Sequence, residues 1–97
     1  MQLRLVPLGY QQLAAATIAS AAAGLTVPAG ATDVLLSADA AAVRFRDDGT
    51  APTSTTGIAL PNGQAPFHYS GTLSALQFIA GGAGALLNAL FYRRAGG

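Results

Sequence analysis

Apolar and polar residues alternate in short runs along much of this chain. The clearest run is Val43-Arg44-Phe45-Arg46, where Val43 and Phe45 point to one side of an extended strand and Arg44 and Arg46 to the other. It stops in Asp47-Asp48-Gly49, whose residues favour turns through local side-chain bonding and tolerance of positive φ. Near the start, Leu3, Leu5 and Pro7 alternate with Gln2, Arg4 and Val6, and Pro7 restricts that run to a sheet edge or a strand end. Gln11 to Ala23 is rich in alanine but has few large apolar residues, and the pattern around Thr17, Ile18 and Ser20 before Gly24 reads as strand.

Further on, Leu25 to Gly30 reads as a short strand closing in a Pro-x-Gly turn, and Thr32 to Ala38 as a strong strand. The brief connection Asp39-Ala40-Ala41 suggests that Ala42 to Arg46 folds back on it as a hairpin. A polar loop, Asp47 to Thr56, follows. Gly57 to Leu60, Phe67 to Tyr69, Leu73 to Ala80 and Ala85 to Tyr92 then read as strands, with turns at Pro61-Asn62-Gly63 and Gly81-Gly82-Ala83-Gly84. Arg93 to Gly97 reads as a polar tail. The count is about 7–9 short strands with turn signals at the spacing of an all-β fold, so the expected architecture is a small antiparallel β-sandwich, jelly-roll-like or barrel-like. The expected organisation is an Ala-rich N-terminal strand or arm over 1–23, a sandwich over 24–93 and a tail over 94–97.

Composition adds a second expectation. Hydrophobic residues make up 52% of the 97 residues and charged residues only 9%, against about 25% charged in typical soluble domains. Lys and Glu are both absent. A small domain with so little charge exposes apolar patches, and such patches mark contact surfaces. The chain is therefore expected to assemble, with itself or with other proteins. Its five arginines form no basic stripe, which gives no footprint for nucleic acid, and no segment is apolar for long enough to suggest a membrane span. Ala19-Ser20-Ala21 resembles a signal-peptidase site, but Pro7, Gly9 and Tyr10 to Gln12 interrupt the stretch behind Arg4, so a signal peptide is not expected.

The residues offer little chemistry. No cysteine is present for a disulfide, a thiolate metal site or a nucleophile. His68 is the sole histidine, flanked by Phe67 and Tyr69, which should face the opposite side. Asp47 and Asp48 are adjacent, so they point apart and make a poor acid/base pair; two carboxylates also supply too few oxygens for calcium. Thr53 to Thr56 lack a nucleophile elbow, and the glycine cluster lacks the lysine of a phosphate loop. No enzyme activity and no cofactor are expected. The candidate functional residues are instead interface residues: Arg44 and Arg46 with Asp47 and Asp48, and the aromatic anchors Tyr10, Tyr69 and Tyr92.

Three segments carry a resemblance: LTVPAGA, then VLLSADAAAVRFRDDGTAPTSTTGIAL, then FHYSGTLSALQFIAGGAGALLNALFY. Together, from about residue 24 to 93, they resemble small virion structural proteins of tailed bacteriophages and prophages. In that family a VR[WF]RDDGTAPT block precedes a Gly-led apolar strand, a Y.G.LSA..FI strand and a closing strand. Val43 to Thr53, Gly57 to Leu60, Tyr69 to Ile79 and Leu87 to Arg93 match in turn, with Phe45 where tryptophan is frequent. The resemblance implies a capsid decoration (cement) protein on the head surface, present in the host cytoplasm during assembly. Its implied partners are the major capsid protein or other virion proteins and further copies of itself, with a trimer favoured by capsid symmetry. A neck, tail or fibre-attachment component is the alternative within the virion, and a carbohydrate- or receptor-binding β-module the alternative outside it.

Overall fold

The computed structural model describes residues 3–96; Met1, Gln2 and Gly97 lie outside the described residues. The strands are β1 (Leu3–Leu13), β2 (Ala23–Gly24), β3 (Asp33–Asp39), β4 (Val43–Arg46), β5 (Ile58–Leu60), β6 (Phe67–Ser70), β7 (Gln77–Ala80) and β8 (Leu86–Gly96). One helical turn, α1 (Ala15–Ile18), and a 3-10 turn at Leu73–Ala75 interrupt them. The strands form two four-stranded antiparallel sheets, ordered β1-β8-β3-β6 and β2-β7-β4-β5. The pairs β1·β8, β2·β7, β3·β6 and β4·β5 are nested, first strand with last, second with next to last, and so inward. That nesting is the wrapping of a jelly-roll sandwich; the strand pattern predicts the small antiparallel sandwich but not which strands pair. No helix of the described residues is long and apolar enough to cross a membrane.

The core follows from alternation on both sheets. Val34, Leu36 and Ala38 of β3 and Leu87, Ala89 and Phe91 of β8 face inward from the first sheet. Val43 and Phe45 of β4 and Phe78 of β7 answer from the second. Phe45 packs between Phe67 and Phe78, with ring centroids 5.8 and 6.0 Å away, so one aromatic stack bridges the two layers. Ile18 on α1 and Leu76, just after the 3-10 turn, complete the core and are fully buried.

Several local expectations are corrected. Residues 33–46 are not a hairpin: β3 and β4 lie in opposite sheets, joined by a turn in which Ala40 adopts φ 68°. Chain proximity suggests pairing, but β3 pairs with the longer β8 on one side and β6 on the other, and β4 instead closes the core from across the sandwich. Gly81 to Gly84 likewise carries the chain between sheets, and Gly81 N–H donates to the Ala42 carbonyl at 2.8 Å. Residues 15–18 are helical, because past Leu13 the alanines supply helix propensity and little to pack as a strand. Leu25 to Val27 has no ladder, although Leu25 and Val27 pack against the core; Pro28 offers no N–H to extend one. Leu73 to Ala75 is a 3-10 turn, so that strand begins only at Gln77.

The largest correction concerns the ends of the chain. Arg93 to Gly96 is not a tail but the continuation of β8, in register with Val6 to Leu3 of β1. Of the strand or arm expected over 1–23, the structure shows a strand: β1 pairs with β8 along its length, and Leu13 and Ile18 lie in the core. Pro7 and a bulge between Pro7 and Gly9 sit in β1, which is an edge strand as Pro7 requires. Deletion of residues 1–23 is therefore expected to abolish folding. Circular dichroism of the truncated chain should lose the sheet signal and its cooperative thermal transition; a retained transition would contradict the role assigned to β1.

Candidate interaction surfaces and a buried carboxylate

The Val43 to Thr53 block builds β4 and the first part of the loop that follows it. Arg44, on the outward side of β4, turns back across the loop: its Nε donates to the Ser54 carbonyl at 3.1 Å and its Nη1 to the Gly57 carbonyl at 2.9 Å. Glycine is required at 57. Its φ is 130°, and a Cβ there would stand 3.1 Å from the Phe45 carbonyl oxygen and 3.2 Å from Pro52 Cβ. Arg46 forks onto Asp48, with Nε 3.0 Å from Oδ1 and Nη2 on Oδ2, and Asp48 Oδ1 also accepts the Thr50 N–H. The hydrogen bond between them raises the Arg46 pKa and lowers that of Asp48. Asp47 points the other way and accepts the Tyr69 hydroxyl at 2.5 Å. That bond, together with burial, pushes Tyr69 up to about 12. Arg44, Arg46, Asp47, Asp48 and Tyr69 thus converge on one loop and hold it shut.

Beside this loop lies an apolar groove of about 290 Å3. It opens where edge strand β5 of one sheet faces edge strand β6 of the other, beneath the Pro61 to Pro66 connection. Phe45 forms part of its lining, and Ile58 and Phe67 are 63% and 42% exposed there. Exposed side chains of this size beside one another make this groove a candidate contact surface.

The remaining candidates lie on the outer face of the first sheet. Tyr10 of β1 is 61% exposed, pairs with Leu90 of β8 and donates its hydroxyl to Asn88 Oδ1 at 2.6 Å. Gln12 Nε2 donates to the same oxygen at 3.0 Å, and Asn88 Nδ2 to Ser37 Oγ at 3.4 Å. Tyr92 is half-buried on this face, beside Pro7 and Asp33.

The structure also assembles a polar cluster from residues that the sequence does not group. Asp33 points to the outer face at the start of β3, yet it is fully buried. Its carboxylate accepts the Thr32 hydroxyl at 2.6 Å, His68 Nε2 at 2.6 Å, and Arg94 Nε and Nη2 at 3.0 and 3.2 Å. Arg94 Nη2 reaches on to Ser70 Oγ at 2.9 Å, and its backbone N–H donates to Thr32 Oγ1. Burial acts to raise the Asp33 pKa, but the bonds from Arg94, Thr32 and His68 outweigh it and bring it down to about 2. The cluster ties β3, β6 and β8 together where the β1·β8 ribbon leaves the sheet. His68 does face away from Phe67 and Tyr69, as alternation predicts, but its carboxylate partner is a residue 35 positions earlier. The one hint in the sequence is an acid opening an otherwise apolar strand. Among the described residues, no three or more His, Asp or Glu side chains gather as a metal site would require.

No family model, no curated protein and no solved structure matched this chain in the comparisons made with it.

Two predictions follow from this geometry. Because folding lowers the Asp33 pKa from an ordinary 3.8 to about 2, its stabilisation is complete above pH 4 and is lost as pH falls through 2. Asp33→Asn should therefore be less stable than the native chain at pH 7 and should show a shallower loss of stability between pH 4 and 2 in urea titrations. Replacing Arg44 with Ala should leave the sandwich folded but free the loop, raising amide exchange at Thr53 and Thr56, whose N–H groups are bonded within it, at least tenfold by mass spectrometry.

Proposed function

We propose that this chain is a non-enzymatic structural protein of a tailed-phage virion, most simply a decoration protein that binds the head exterior beside the major capsid protein. One observation carries the reading. Within the block that resembles the phage family, Val43 to Thr53, Phe45 lines the exposed apolar groove. Arg44 and Arg46 hold the adjoining loop through hydrogen bonds inside the chain, so the groove offers a preorganised apolar contact. Preorganisation lowers the entropy cost of docking. Jelly-roll sandwiches occur in capsid proteins, which supports the reading by analogy of fold alone.

Quantitative mass spectrometry of purified particles tests it. A copy number comparable to that of the major capsid protein is expected. A dozen copies or fewer would move the chain to the neck or tail, and absence from particles would overturn the virion reading. Within a decorated particle, Ile58→Arg should reduce occupancy at least tenfold while leaving the isolated fold intact.

A further inference from the structure

The outer face of the β1-β8-β3-β6 sheet carries a contact surface of its own. A sheet face turned to water normally presents polar residues. Here the row formed by Tyr10, Leu90 and Leu35 crosses three neighbouring strands, and all three side chains point outward. A shallow groove of about 200 Å3 lies along this row. Tyr92, two residues from Leu90, extends the apolar strip along β8 in one direction; in the other, Asn88 and its bonds to Tyr10, Gln12 and Ser37 separate Leu90 from Leu86.

We propose that this face binds a second copy of the same chain, packed face to face about a two-fold axis that runs across the strands along the Tyr10–Leu90–Leu35 row. The register of the sheet supports this choice of partner and axis. Rotation about that row lays Tyr10, Leu90 and Leu35 on their own counterparts, so the apolar centre covers itself. Counting outward, Asp39 lies four residues from Leu35 on β3, and Arg94 lies four residues from Leu90 on β8, in the opposite direction along the sheet. The rotation therefore brings Asp39 of each copy to the level of Arg94 of the other, one strand over. Asp39 is exposed, and the Arg94 side chain remains 45% exposed after binding Asp33. Leu5, which pairs with Arg94, meets Leu86 of the second copy in the same way. Oppositely charged ends and a self-matching apolar centre are what an isologous interface needs.

The size of the face suits a weak dimer. β1 and β8 offer roughly nine residues each, β3 seven and β6 four; at about 4.8 Å between strands and about 3.4 Å per residue the projected area is on the order of 470 Å2 per copy. Two such faces reach about 950 Å2, in the range of weak and transient interfaces. The β1 edge is a poorer route to self-pairing, since Pro7 and the adjacent bulge blunt it.

Sedimentation equilibrium of the full chain tests the proposal. The native protein should be a dimer in the micromolar range. Tyr10→Arg should raise the dissociation constant at least a hundredfold. Asp39→Arg, which places like charges together, should raise it at least tenfold at low salt and less at high salt. Both positions are exposed, and thermal unfolding of each variant checks that it folds. Ile58→Arg, in the groove on the other side of the molecule's core, should leave the dimer unchanged. A monomeric native chain, a trimer, or a dimer broken by Ile58→Arg but not by Tyr10→Arg would overturn the assignment. The outcome is separable from the virion reading: a dimer formed by a chain absent from particles would sink that reading and leave this surface standing.

Discussion

The pairing of the first strand with the last is the constraint on which the rest of this fold depends. β1 and β8 run side by side for their full length, and every other strand pair nests inside theirs. The ladder satisfies backbone groups along both chain ends, which would otherwise need water or another partner. It also sets the inward register of Leu87, Ala89 and Phe91, because a slip of one residue would turn all three toward solvent. Leu13 and Ile18 then enter the core directly from the end of β1.

The Asp33 cluster serves that pairing at its weak end. Beyond Tyr92, β8 has only β1 beside it as a ladder partner, and a two-stranded ribbon is marginal in water. Arg94 lies on this ribbon and reaches back to Asp33, with Thr32, His68 and Ser70 completing the contacts. A buried carboxylate without such donors would be costly; here both oxygens are engaged, and none of the buried polar side-chain atoms among the described residues lacks a partner. The scarcity of charge in the chain makes this economy visible. Asp33, Asp47 and Asp48 each hold a side chain of the same molecule, which leaves the apolar surfaces to face outward.

Those surfaces fall on different parts of the sandwich. The groove between β5 and β6 opens at the free edges of the two sheets, whereas the Tyr10 row lies on the broad outer face of the first sheet. The two proposed contacts use separate surfaces, so occupying one leaves the other free.

The all-β character, the strand at Val43 to Arg46, the placement of Phe67 and Tyr69 opposite His68 and the edge position of Pro7 were all legible in the sequence, because each rests on local alternation or on the missing proline N–H. Tertiary structure alone decided which strands pair. Alternation assigns a strand two faces but names no partner, so the connections at Asp39 to Ala41 and Gly81 to Gly84 look like hairpins and are in fact crossings between sheets. It likewise decided the fate of the chain ends and of Asp33, His68 and Arg94. Their contacts span 35 and 61 positions, and only the closed sandwich brings residues so far apart in the chain within hydrogen-bonding distance.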